Sequence, residues 1–246
     1  VTGHLLVAVG LSKHYGGLRA VDEVDLHLDR GEILGVIGPN GAGKTTLFSC
    51  IAGSIPPTAG AVRLGEKLLT GLGAHEVVRA GVVRTHQIVR PFANLTVAEN
   101  VAVAAIHGAR RAGGHVADRV AEELAFAGLE GRAGGMPGAL TLAARKRLEL
   151  ARALATAPEV LLLDEVVAGL NPSEAVALAA LVRRIRDERG VSIIMIEHVM
   201  PAVMSLSDRV AVLDHGKKIA EGTPAAVVRD PLVVEAYLGP GAEVPA

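Results

Sequence analysis

The stretch Gly38-Pro39-Asn40-Gly41-Ala42-Gly43-Lys44-Thr45-Thr46 decides how this chain is read. Before it stands Ile33-Leu34-Gly35-Val36-Ile37, an apolar run with the length and composition of a buried strand. After it, Leu47-Phe48-Ser49-Cys50-Ile51-Ala52 reads as a short helix stopped by Gly53 and Pro56. A strand, a glycine-rich turn and Lys-Thr at a helix start form the arrangement that cradles phosphate. The glycines let the backbone turn tightly and bring its N–H groups close to phosphate oxygens. The helix start adds unpaired donors and the positive end of a dipole. In this pattern Lys44 reaches β- and γ-phosphates and the Thr45 hydroxyl ligates Mg2+. A chance glycine turn with a surface lysine would not match every fixed position in the correct context.

A phosphate loop of this kind needs acids nearby, and the next informative run is Val160-Leu161-Leu162-Leu163-Asp164-Glu165. Its continuous apolar part suits a strand covered on both faces, and acids at the C-terminal edge of an open α/β sheet lie where such sheets bind ligands. Asp164 would hold the metal shell, and Glu165 would orient and deprotonate an attacking water. Ser192 to Ile196 is a further buried strand, followed by Glu197-His198. A third strand, Gly81-Val82-Val83-Arg84, leads to Gln87. A lone histidine or glutamine at a strand end is an ordinary loop residue. Three neighbouring strands that bring Gln87, Glu165 and His198 to one edge beside Lys44 make a stronger pattern than any one of them.

The remaining segments supply the frame. His4 to Val9 and Val21 to Leu28 read as strands, the second alternating apolar and polar residues. Tyr15 stands beside Gly16-Gly17, and ahead of a phosphate loop it reads as a stacking face for a base. Gly60 to Leu64 is a short strand, and Gly71 to Ala80 reads as loop and turn. From Leu95 to about Pro158 the pattern is helical: Thr96 and Glu99 form a capping box, Val116, Val120 and Leu124 recur at a helical interval, and Gly128 ends that helix. Arg145 to Thr156 is an amphipathic helix leading back to the sheet. Asn171-Pro172 starts a helix that runs to about Glu188 and closes at Gly190. Arg209 to Leu213 and the residues from Ile219 form a hairpin, and the tail from Pro231 carries no chemistry of its own. The expected organisation is one domain over 1–246. Residues 1–94 and 159–246 make the β and α/β core, and 95–158 form an inserted helical subdomain.

Composition narrows the class. The chain has 246 residues, half of them hydrophobic, with no Trp, two Tyr and three Phe, so aliphatic side chains must fill the core. A formal net charge of −1 leaves no electrostatic footprint for nucleic acid. The single Cys50 excludes an internal disulfide. Charges or glycines interrupt each apolar run before it reaches a membrane span, and the N-terminus has no signal-peptide pattern. The sequence therefore predicts a soluble chain that would serve a membrane only through other subunits.

Taken together, Tyr15, Gly38–Thr46, Gln87, Leu140–Ala144, Asp164-Glu165, Asn171 and His198 resemble the ATP-binding subunits of ABC transporters over nearly the full length. The runs Arg84–Val101, Ala168–Pro172, Ile193–Met200 and Glu235–Gly239 are similar to those of branched-chain amino-acid importers. The resemblance implies an α/β fold: a P-loop NTPase core, mostly parallel sheet flanked by helices, with an N-terminal antiparallel β subdomain and the inserted helices. It implies ATP and Mg2+ as cofactors. Tyr15 would stack on adenine, and Gly38, Pro39, Asn40, Gly41, Ala42, Gly43, Lys44, Thr45 and Thr46 would bind the phosphates. Thr45, Gln87 and Asp164 would serve the metal, Glu165 would be the general base, and His198 would contact the γ-phosphate.

Such subunits pair head to tail, so the implied partners are a second ATPase subunit, identical or not, and two integral-membrane permeases. A solute-binding protein would act indirectly, and the location implied is the cytoplasmic face of the membrane. Thr141 and Ala143, in the segment Leu140-Thr141-Leu142-Ala143-Ala144, would act on the partner's ATP. Relatives usually have Leu-Ser-Gly-Gly-Gln there. Alanine in place of glycine removes backbone freedom and adds methyl groups, so the ATP closed by this segment is expected to be held less tightly. Pairing with a different subunit would then give one intact and one altered site. Val166 stands where many relatives have proline, and Asn171 where many have aspartate. Rival readings are a lipid or lipopolysaccharide export ATPase, an ABC ATPase acting on nucleic acid or ribosomes, and a nucleotide kinase. The last would leave the Glu165 and His198 placements to coincidence.

Overall fold

The computed structural model describes residues 3–86, 90–108 and 115–239. The first part of the chain runs β1 (Leu6–Tyr15), β2 (Leu18–Leu28), β3 (Ile33–Ile37), α1 (Lys44–Ile51), β4 (Ala59–Leu64), β5 (Lys67–Leu68), α2 (Ala74–Ala80) and β6 (Val82–Arg84). Helices α3 (Val97–His107), α4 (Val116–Phe126) and α5 (Leu142–Ala155) follow, then β7 (Val160–Asp164), α6 (Pro172–Arg189) and β8 (Ser192–Ile196). The chain closes with α7 (Met200–Leu206), β9 (Arg209–Asp214), β10 (Lys217–Gly222), α8 (Pro224–Val227) and α9 (Pro231–Leu238).

Two sheets form. One is antiparallel in the order β2-β1-β4-β5. The other has the order β10-β9-β3-β8-β7-β6 and is parallel except for the hairpin strand β10. The continuous apolar strands β3, β7 and β8 lie inside this second sheet and are buried along their whole length, as strands covered on both faces must be. Their side chains alternate between two cores. Leu34, Val36, Leu162, Ile194 and Ile196 pack with Phe48 and Ile51 of α1 and with the antiparallel sheet. Ile33, Leu161, Leu163, Ile193 and Met195 pack with Leu178, Val182 and Ile185 of α6 and Val203 of α7. A third core gathers Val97 and Val101 of α3, Val120 and Leu124 of α4 and Leu148 and Ala151 of α5. Helix α5 also contributes Leu150 and Leu154 to the core around α6, so it has buried residues in both the helical core and a sheet core.

Several expectations change in detail. Residues 71–80 are not all loop and turn: Ala74–Ala80 form α2, where the Glu76 carboxylate accepts from the Gly73 N–H at 2.9 Å. Seven residues are too few to show a period, and it is Val77, buried over Gly53, that holds this helix in place. Helix α5 begins at Leu142 rather than Arg145, because the Thr141 hydroxyl caps it by accepting from the Ala144 N–H. Ala143 and Ala144 therefore lie in the first turn of a regular helix. The tail from Pro231 is the helix α9. Thr96 and Glu99 form the expected capping box at the start of α3. No helix among the described residues is long and apolar enough to cross a membrane.

Candidate functional site

The parallel strand order brings four loops to one edge. β3 leads into Gly38–Gly43, β8 into Glu197-His198, β7 into Asp164-Glu165, and β6 into Thr85-His86. Gln87, the next residue, lies outside the described residues. The glycines of the loop earn their places sterically. Gly38 has φ 148°, and a Cβ there would stand 2.0 Å from the Leu213 carbonyl oxygen of β9; at Gly43, φ 100°, it would stand 2.1 Å from the Ala20 carbonyl oxygen of β2. The loop is thus wedged between both sheets. The β9–β10 turn fastens it as well, since the Gly216 N–H donates to the Ala42 carbonyl at 3.1 Å.

Helix α1 opens at Lys44, whose ammonium folds back and donates to the carbonyls of Gly38 at 2.6 Å and Pro39 at 2.8 Å. Burial lowers the Lys44 pKa, and the nearby Glu165 and Asp164 carboxylates oppose that shift. An ammonium has three protons, so the two bonds hold the charge at the loop while a third direction can serve an anion. A cleft of about 500 Å3 lies over the loop. It is lined by Tyr15, Asn40 to Thr46, Glu165 and His198, together with Leu18, Arg19, Ala20 and His215. Tyr15 is half exposed at its rim, with the Lys13 ammonium 5.1 Å from the ring centroid.

Glu165 has φ 51°, a left-handed conformation uncommon for a residue with a side chain. Its N–H donates to the Ile196 carbonyl of β8 at 2.9 Å, and the His198 Nε2 lies 2.9 Å from its Oε1. The positive φ turns the chain sharply out of β7 so that the carboxylate faces the cleft, where His198 meets it. Such local strain persists only where surrounding bonds impose it. Asp164, one residue earlier, is buried and paired with Arg84 through Oδ2 at 2.6 Å. Arg84 also donates to the Ser49 hydroxyl at 2.8 Å, and Ser49 donates to the Thr45 carbonyl at 2.7 Å. A chain of polar contacts therefore ties the acid at the end of β7 to the start of α1.

The structure brings Tyr15, Gly41, Lys44, Thr45, Thr46, Glu165 and His198 to one cleft. It does not bring Thr141 or Ala143 there: both lie at the start of α5, Thr141 exposed, and neither lines the cleft. Arg84, Arg19 and His215 are functional candidates that the sequence reading missed. Arg84 carried a signal only as a basic residue ending a strand beside the acids; Arg19 and His215 carried none.

Comparison with known proteins agrees with this geometry. Residues 21–168 match the ABC transporter family model, and residues 217–239 match that of the branched-chain amino acid ATP-binding cassette transporter. The chain is 42% identical to the high-affinity branched-chain amino acid transport ATP-binding protein LivG of Escherichia coli strain K12, over 96% of this chain and 98% of that protein. It is 39% identical, with the same coverage, to BraF of Pseudomonas aeruginosa, which has the corresponding description. Among solved structures, the ADP conformation of MJ1267, an ATP-binding cassette of an ABC transporter, superposes with a TM-score of 0.87 at 30% identity, covering 97% of this chain and all of that one. The phosphate loop, the acids after β7 and the histidine after β8 thus sit in a fold and a sequence that agree: this chain belongs to the ABC transporter family of ATP-binding cassettes.

Proposed function

We propose that this chain is the ATP-hydrolysing subunit of an importer for branched-chain or related amino acids. The observation that carries the reading is the meeting of Lys44, Glu165 and His198 around one cleft at the phosphate loop, supported by the relatives' descriptions and the match over 217–239. Tyr15 offers its ring to the adenine, and the N–H groups of Gly38–Thr46 hold the phosphates. Glu165 takes the proton of the attacking water while His198 orients its carboxylate and meets the γ-phosphate. Lys44, held by the loop carbonyls, turns its remaining N–H to a phosphate oxygen.

The donors near the loop fit Mg2+, since the Thr45 hydroxyl and the Asp164 carboxylate are hard oxygen ligands and Arg84 engages only one of the two carboxylate oxygens. Thr45 and Asp164 would hold the ion, with Gln87 sensing it. When bound it would neutralise charge on the phosphates.

Thr141 and Ala143 lie outside the lining of their own cleft and would close the nucleotide of a second ATPase subunit, identical or different. Two integral-membrane permeases and, indirectly, a solute-binding protein would complete the assembly, with the chain on the cytoplasmic face of the membrane. In a pair of different subunits, the site closed by Leu140–Ala144 would turn over more slowly than the other.

The experiment is purification of the tagged chain from its native membranes, followed by uptake of radiolabelled leucine into vesicles that carry the purified complex. ATP-dependent uptake that Glu165→Gln abolishes is the expected result. Co-purification without permeases, or a complex that moves lipid and not leucine, would overturn the substrate assignment. Equal loss of ATPase activity on disabling the base of either subunit would overturn the asymmetry.

A further inference from the structure

Helix α5 begins at the segment expected to meet the partner's nucleotide, yet its next turn bonds the main chain of a residue that lines its own chain's cleft. Lys146, buried at 5% exposure, donates from Nζ to the main-chain carbonyl of Glu165 at 2.9 Å. Three residues on, Glu149 accepts through Oε1 from the His86 N–H at 2.6 Å. His86 follows Arg84 and Thr85 at the end of β6, so this bond holds the strand end that carries the Asp164 partner. Residues three apart share a helix face, and here that face lies against Thr85, His86, Asp164 and Val166, across a narrow cleft between α5 and the ends of β6 and β7.

The chemistry on both sides of this contact is unusual for a structural prop. Burial lowers the Lys146 pKa, opposed by Glu197, Glu149 and Glu165. Burial raises that of Glu149, opposed by the His86 N–H, Arg152 and Lys146. A buried lysine and a half-buried glutamate thus stand on one helix face, and each bonds a backbone group. One of these backbone groups, the Glu165 carbonyl, belongs to the general base itself; the other, the His86 N–H, belongs to the strand end that carries Arg84. The left-handed Glu165 is fixed through its N–H by Ile196 and through its carbonyl by Lys146 and the Ala168 N–H. Rotation of the peptide after Glu165 would swing that carbonyl, so the lysine bond resists a return to the more favourable right-handed conformation.

We propose that Lys146 and Glu149 are positioning residues: they transmit the placement of the Leu140–Ala144 segment at the start of α5 to the Glu165 base and the β6 end of the same chain. Because α5 also shares both the helical and a sheet core, a tilt imposed at Thr141 by a partner's nucleotide would be felt at the base by way of this face. The inference rests on the ATPase reading above and names how the two sites of a pair are coupled.

The test is steady-state ATP hydrolysis by the assembled complex with Lys146→Met, Lys146→Arg and Glu149→Ala. Lys146→Met should lower kcat about tenfold to a hundredfold, the cost of a misplaced catalytic group, with the KM for ATP within about threefold of wild type. Lys146→Arg, which can still donate to the carbonyl, should recover most of that loss. Glu149→Ala, which leaves Lys146 in place and keeps the proposal testable if Lys146→Met does not fold, should show the same pattern at about threefold to tenfold. Wild-type kcat in either soluble deletion, parallel loss of kcat and ATP affinity, or no recovery with arginine would overturn the assignment. If wild type itself hydrolysed no ATP, the ATPase reading would fail first, and the two failures are thereby told apart.

Discussion

Two helix starts, at Lys44 and at Leu142, use the same physical resource in opposite ways. Each presents the unpaired N–H groups and positive dipole end of a helix. At α1 those groups open into a cleft walled by the chain's own side chains, and the residue before the helix is a glycine wedged against backbone, with no side-chain cap. At α5 the chain caps itself through the Thr141 hydroxyl, and the start of the helix is exposed. The first end is complete within one chain; the second has a donor and no walls. A helix start binds phosphate strongly only where neighbouring groups confine the anion, so under the function proposed above the second acquires its use in an assembly.

That contrast can be tested at both ends. The largest effect is expected in the walled cleft: Glu165→Gln should slow turnover by about 10²–10⁴-fold, the share of general-base catalysis, while ATP binding, measured by nucleotide fluorescence, stays largely intact. Gly38→Ala puts a methyl group 2.0 Å from the Leu213 carbonyl oxygen, and should cost about 1–3 kcal/mol of folding stability in denaturant titration together with ATP binding. Thr141→Ala removes the cap of α5 and should cost about 1 kcal/mol, without changing ATP binding by the isolated chain. A loss of binding there would place α5 in its own cleft and end the comparison.

Ala143→Gly should lower stability by up to about 1 kcal/mol, as glycine does in a helix, and should speed the partner site if the methyl group obstructs phosphate. The last test reads charge. Glu197 is buried beside the base, accepts from the Val167 N–H at 2.9 Å, and burial raises its pKa above 4.5. The unfolded chain then ionises it first, so wild-type stability falls as pH rises from about 4.5 through the folded value. The melting temperature of Glu197→Gln relative to wild type should therefore rise across that window.

Much of the cleft was legible before any coordinates. The phosphate loop declares itself because its glycines answer a local steric demand, and β3, β7 and β8 because burial on both faces leaves an unbroken apolar run. Asp164, Glu165 and His198 were readable from their place at strand ends. Arg84 was not, since its value lies in a partner eighty residues away. Neither was α2, too short to show a period, nor the start of α5, whose first turn carries no apolar repeat.

What the sequence determined by itself is what depends on neighbours along the chain: the turn that needs glycine, the strands, the capped helices, and with them the family. The tertiary structure decided which strand lies beside which, that Glu165 adopts a left-handed backbone with His198 on its carboxylate, and that Lys146 and Glu149 hold backbone groups across the base of α5. These are contacts between distant segments, fixed by strand order and by helices packing over a sheet, and such contacts leave no periodic trace in the residues that make them.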